Sequence, residues 1–277
     1  MTAGDGLVSC EITVRKSDYD RYLAALFAPA KLRQDLFALY AFNYEVAKIA
    51  ESVSEPMVGQ IRLQWWREKI DELYAGKGES HELLKQLTHA VRMHELPKRL
   101  FDACIDAREH DLEATPFADM SSLEAYADAT SGHIMRLAAR ILGAGSTLDS
   151  DAREAGIAYA LTGLLRALPF HAARGRVMLP ADAIEAAGLS SESLVAGQSS
   201  AALRALFSHL GQTARSHHAA ARGLPRKFLP ALLPATLVPQ FLDLLTRPNF
   251  NPFRELAEIP VYRRQLTMLR AMARGRI

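Results

Sequence analysis

The stretch LLRALPFHAARGRVMLP, residues 164–180, gathers three arginines and a histidine, Arg166, His171, Arg174 and Arg176, without one carboxylate. Guanidinium groups make charge-assisted hydrogen bonds to phosphate and carboxylate oxygens, and cationic side chains stabilise a phosphate without a metal. A neutral His171 is a ligand for transition metals but a poor one for octahedral Mg²⁺, which prefers oxygen donors. Two other readings stay open. Arg174 and Arg176 can brace the turn after a helix by bonding its terminal carbonyls, and His171 suits the end of a helix.

The rest of the chain offers few other centres of chemistry. Nine histidines include no HExxH, and neither His89 with His94 nor His217 with His218 has the one-face spacing of helical metal ligands. GxGxxG, P-loop and GxSxG patterns are absent. With 33 basic against 31 acidic residues, the net charge of +2 gives no electrostatic case for nucleic acid. Cys10 and Cys104 lie far apart and form no CxxC pair, which suits a reducing compartment. The first residues, MTAGDGLVSCEITVRKSDYD, carry neither a signal-peptide pattern nor a transit-peptide composition, so a cytoplasmic location is expected.

Positioning falls to helices, because the helical period recurs and the strand period does not. In residues 30–53, Leu32, Leu36, Leu39, Tyr40, Val46 and Ile49 fall mainly three and four apart, as in an amphipathic helix. The same reading covers 57–75, 81–94, 97–113, 121–143, 151–168, 199–222 and 260–273. Breaks fall at Pro29, Pro56, AGKG (75–78), Pro97, TPF (115–117), GAGS (143–146) and Pro180. The expectation is a single-domain, all-α bundle over 17–277 behind a flexible N-terminal segment, 1–16, with an exposed loop at 189–202. FLPALLPATLVPQFLDLL, residues 228–245, carries three prolines and Asp243 and is shorter than the roughly 20 apolar residues of a membrane span. It reads as a buried, broken helix, with peripheral membrane contact as its second reading. Adjacent Trp65 and Trp66 point about 100° apart on a helix, which favours packing over a stacking platform.

YLAALFAPAKLRQDLFALYAFNYEVAKIAE, LQWWREKIDELYAG, LEAYADATSGHI, LLRALPFHAARGRVMLP and HHAAARGLPRKFLPALLP resemble, in order and spacing, the squalene and phytoene synthase family. The likeness runs from about Tyr19 to Leu245. It implies an isoprenoid synthase-type helical bundle around a central cavity. In members with that activity it also implies head-to-head joining of two prenyl diphosphates, with aspartate-rich motifs on two facing helices. Carboxylates three and four apart share a helix face and can hold Mg²⁺ against diphosphate oxygens.

At those positions this chain departs from the family. The first motif reads Ala47, Lys48 and Glu51, and the second reads Ala167 and His171 after Arg166, so acids are lost at four of five places. FALYAFNYEVAKIAESVSE, IRLQWWREKIDELY and LLRALPFHAARGRVMLP resemble the mitochondrial complex I assembly factor 6 group, which keeps the fold without the aspartate pattern. That resemblance implies an accessory role in building respiratory complex I at the inner face of an energy-conserving membrane, with complex I subunits or assembly intermediates as partners. It implies no cofactor; Mg²⁺ belongs only to the alternative, a prenyl diphosphate transferase or binder with altered motifs.

The degenerate pocket, as a site for a prenyl or lipid-like ligand or an anion, is then Lys48, Glu51, Tyr126, Arg166, His171, Arg174 and Arg176. Each also has a plainer role. Lys48 can pair outward with Glu45 or Glu51, Tyr126 can fill core, and Asp111 nearby can serve a helix end or an ion pair.

Overall fold

Nine consecutive residues, Asp35 to Asn43, are buried on every side of one helix. A helix that hides its whole circumference belongs in the interior, so 33–47 is a central helix and not the amphipathic surface helix its spacing suggests. The computed structural model describes residues 4–77, 81–221 and 225–277. Among them the first helices are α1 (Gly4–Ser17), α2 (Tyr19–Ala25), α3 (Arg33–Ala47), α4 (Pro56–Tyr74), α5 (Glu82–His94), α6 (Lys98–Ala107) and α7 (Met120–Ala127). The others are α8 (His133–Ile141), α9 (Asp149–Ala172), α10 (Ala181–Ala186), α11 (Ser191–Val195), α12 (Ala201–Ala220), α13 (Val238–Leu245) and α14 (Val261–Arg274). No named strand forms among the described residues; Phe117 and Pro180 make an isolated bridge. The all-α expectation holds.

Two helices organise the bundle. α3 packs against α1, α5 and α8, and α9 packs against α8, α12 and α13. α7 and α8 are joined by a π-helical turn, Asp128–Gly132, that also lies against α9. The crossing is close because both helices present glycine: a Cβ built on Gly156 would stand 2.4 Å from the Gly132 Cα. Side-chain caps start the flanking helices. The Asp119 carboxylate accepts from the Ser122 amide to open α7, and the Ser200 hydroxyl accepts from the Leu203 amide to open α12.

Three expectations change. Residues 1–16 are not simply a flexible segment, because α1 places Cys10 and Val14 in the core against α3; residues 1–3 lie outside the described residues. α9 does not stop at 168; it runs through Pro169 to Ala172, although that proline supplies no N–H to the turn below it. The 189–202 stretch contains α11, opened by the Ser190 hydroxyl and anchored by buried Leu194. The buried, broken helix expected over 228–245 is found as two 3₁₀ turns, Leu229–Ala231 and Leu233–Leu237, followed by α13. Most of its apolar side chains are buried within the protein, with Pro239 and Leu244 half-buried. The expected break at Gly78 and the expected helix end at 222 lie outside the described residues. Among the described residues no helix is long and apolar enough to cross a membrane.

Candidate functional site

The C-terminal ends of α3 and α9 close on a cavity of about 130 Å³. α3 and the 3₁₀ turn after it contribute Ala47, Ala50 and Glu51. α9 contributes Leu164 and His171, and the turn beyond it contributes Arg174, Arg176 and Met178. The remaining wall comes from Arg108 and Asp111 after α6 and from Tyr126 on α7. Gly175 makes the turn with φ of 71°, a left-handed conformation that suits glycine and lets two arginines flank it.

One side of the cavity is a polar network, in which only the Arg108 Nε is buried without a partner among the described residues. Arg108 Nη1 donates to Asp111 Oδ2 at 3.0 Å and to Tyr126 Oη at 2.8 Å. Tyr126 Oη donates to Asp111 Oδ1 at 2.6 Å. Burial, and then the neighbouring Asp111 carboxylate, push the Tyr126 phenol well above its usual value, so it keeps the proton it donates. Burial disfavours the Arg108 charge, but Tyr126 and Asp111 outweigh it and the guanidinium pKa rises.

The opposite side is less tied down. Arg176 Nη1 reaches the Ala50 carbonyl at 3.4 Å, and Arg174 is exposed, with no side-chain hydrogen bond or ion pair among the described residues. Burial holds the His171 imidazolium below its ordinary value; Arg174 and Arg176 act in the same direction, and Asp111 and Glu51 oppose them. A neutral imidazole therefore faces the cavity near neutral pH.

Of the residues singled out by sequence, Glu51, Tyr126, His171, Arg174 and Arg176 meet at this cavity. Lys48 and Arg166 do not. Lys48 caps α3 and turns away, pairing with Glu45 at 2.5 Å and lying over the Tyr44 ring. Arg166 faces another side of α9. Its guanidinium stacks on Phe241 at 3.7 Å and lines a separate cleft of about 300 Å³ with Gly163, Ala167, Phe170 and Leu256. Burial lowers its pKa, and its Nε has no partner among the described residues. Ala167, where the family resemblance implies an aspartate, lines that cleft too. Arg108 was absent from the sequence reading; its spacing of three from Asp111 in DAREHD was the available signal.

These donors do not fit an Mg²⁺ site. Of the two acids that line the cavity, Asp111 is already held by Arg108 and Tyr126, which leaves Glu51, and three guanidinium groups share the cavity. Among the described residues no group of three or more His, Cys, Asp or Glu converges in a way that could hold a metal ion. The arrangement suits a small oxyanion gripped by Arg174, Arg176 and His171. Its volume is below the roughly 300–1,000 Å³ of ordinary small-molecule sites.

Fold and cavity together define an isoprenoid synthase-type bundle with an arginine-lined, carboxylate-poor centre. The chain belongs to the squalene/phytoene synthase family, whose family model it matches over residues 14–270. It is 33% identical to NADH dehydrogenase (ubiquinone) complex I, assembly factor 6, of Bos taurus, over 97% of this chain and 83% of that protein. It is 29% identical to presqualene diphosphate synthase of Rhodopseudomonas palustris, over 72% of each. A crystal structure of a dehydrosqualene synthase with bound ligand superposes with a TM-score of 0.84 at 18% identity, covering 97% of this chain and 95% of that one.

Proposed function

We propose that this protein is an accessory factor in building respiratory complex I, on a synthase scaffold that has lost metal-dependent prenyl transfer. The observation that carries the reading is the cavity. Where the family's chemistry needs carboxylates on two facing helices, this chain presents Ala47, Glu51 and His171 among Arg108, Arg174 and Arg176. The stronger likeness to the assembly factor, in both identity and coverage, agrees with it. On this reading the protein works without a cofactor on the inner, cytoplasmic side of the energy-conserving membrane, and its partners are complex I subunits or assembly intermediates.

Deleting the gene in its host and separating membrane complexes on a native gel tests the role. Loss of the assembled, NADH-oxidising band, restored by the intact chain, is expected. An unchanged band would sink the proposal. The loss of prenyl transfer has its own test: labelled farnesyl and geranylgeranyl diphosphates with and without Mg²⁺. Apolar product that depends on Mg²⁺ would overturn it.

A second reading is favoured by Arg174, which faces the cavity with no ion pair among the described residues. It makes the protein a metal-independent binder of a prenyl diphosphate or related anion. Binding without product in the same experiment supports this reading, and no binding rejects it.

A further inference from the structure

The face of α14 that points away from the protein carries its own apolar stripe. Met268 and Ala271 bury one side of the helix. On the opposite side Tyr262, Leu266 and Leu269 are 57%, 44% and 55% exposed. Their spacings of four and three, continued by exposed Ala273, put them along one line of the helix. Val261, 46% exposed, begins the same helix.

Charge on this helix has a single sign. Residues 259–277 hold five arginines and neither aspartate nor glutamate. Arg264 turns inward, donating to Asp20 at 2.8 Å. Arg263, Arg270 and Arg274, at spacings of seven and four, form a row along one flank of the stripe. None of the three makes an ion pair among the described residues; Arg263 lies near the Tyr262 ring.

We propose that α14 is a docking surface for an anionic lipid membrane, with Tyr262, Leu266 and Leu269 entering the headgroup region and the arginine row on lipid phosphates. Complementary charge selects this occupant. A second copy would set arginine-rich helices against each other with no acid between them, which like-charge repulsion opposes. A lipid surface offers a diffuse negative field that needs no matched register, and arginine and tyrosine are side chains that sit at headgroup depth. The apolar stripe on α4, Met57 and Ile61 with Trp65, lacks this character because Glu68, Arg67 and Glu109 border it with mixed charge. The inference stands independently of the complex I role.

Sedimentation of the full chain with vesicles tests it, using phosphatidylcholine alone and an equal mixture with phosphatidylglycerol. Binding is expected to the anionic vesicles at about 0.05 M salt and to fall steeply at about 0.5 M. Replacing Arg263→Gln, Arg270→Gln and Arg274→Gln together should weaken it by about 100-fold. Leu266→Glu with Leu269→Glu should abolish it, while Met57→Glu with Ile61→Glu should leave it unchanged. Circular dichroism confirms that each variant keeps its helices, which exposed positions permit. Absence of vesicle binding, equal binding to both vesicle types, or binding indifferent to the α14 variants would each overturn the proposal.

Discussion

Tyr126 and Asp111 meet through a 2.6 Å hydrogen bond, and Arg108 bonds to both of them. The contact ties α7 to the turn after α6 and fixes one wall of the cavity. Replacing Tyr126→Phe keeps the ring but removes both the donor to Asp111 and the acceptor for Arg108. Leaving buried polar groups short of a partner costs about 1–3 kcal/mol. A urea unfolding series should show a loss of that size. No change in midpoint would mean that the network contributes little.

Lys48 and the Arg174–Arg176 pair should behave differently. The Lys48–Glu45 pair has side chains 37% and 31% exposed, so Lys48→Ala should cost less than about 1 kcal/mol. It should also leave pyrophosphate affinity, read by calorimetry, unchanged. Arg174→Ala and Arg176→Ala should each weaken any pyrophosphate binding about 10-fold, the loss of a charge-assisted contact. Equal effects of all three substitutions would place Lys48 at the anion after all.

Gly156 and Gly163 share α9 but should respond oppositely to alanine. A Cβ at Gly156 would meet the backbone of Gly132 at 2.4 Å, whereas one at Gly163 meets nothing within 4 Å. Gly156→Ala should lower stability by about 1–3 kcal/mol or more as the helices are forced apart. Gly163→Ala should raise it by about 0.5–1 kcal/mol through helix propensity. Thermal melts of the two variants decide this.

Acid should destabilise the fold through its buried histidines. Burial is the leading cause that lowers the pKa of His133, His171 and His218. Their native values lie below the unfolded value of about 6.5, so the unfolded chain binds more protons as pH falls below it. Their contribution is constant above about pH 7.5 and turns against folding as pH drops through 6.5 toward the native values. Urea midpoints measured from pH 8 to pH 5 should fall, and His171→Gln should flatten part of that fall. A profile identical to that of the parent chain would remove His171 from the account.

Much of the bundle was legible because helical periodicity and Gly or Pro breaks are local signals, and α4, α5, α12 and α14 follow them closely. Burial was harder to read. The run DLFALYAFN shows apolar residues three and four apart, yet interior placement of α3 also hides Asp35 and Asn43. Asp35 is accommodated because His94 Nε2 lies 2.8 Å from its Oδ2, a partner 59 positions away that spacing cannot reveal. α1, weakly patterned, and α11, five residues long, were missed because such segments depend on what they pack against. Half-sided patterns also hide a second exposed face: the buried side of α14 explains its periodicity, and the outward stripe becomes visible only once that side is covered.

The sequence by itself determined that positions 47, 48, 167 and 171 carry no acid, since residue identities need no coordinates, and it determined an all-α chain of the synthase family. Tertiary structure alone decided which survivors share a cavity. α3 ends at Ala47, and the following 3₁₀ turn sets Glu51, itself exposed, against the cavity while Lys48 turns to Glu45. Arg166 stacks on Phe241 across α9 from His171, and Arg108 with Asp111 arrives from another helix. Motif spacing ranks residues along a chain, but a helix end or a change of face redirects a side chain, and only packing fixes where it points.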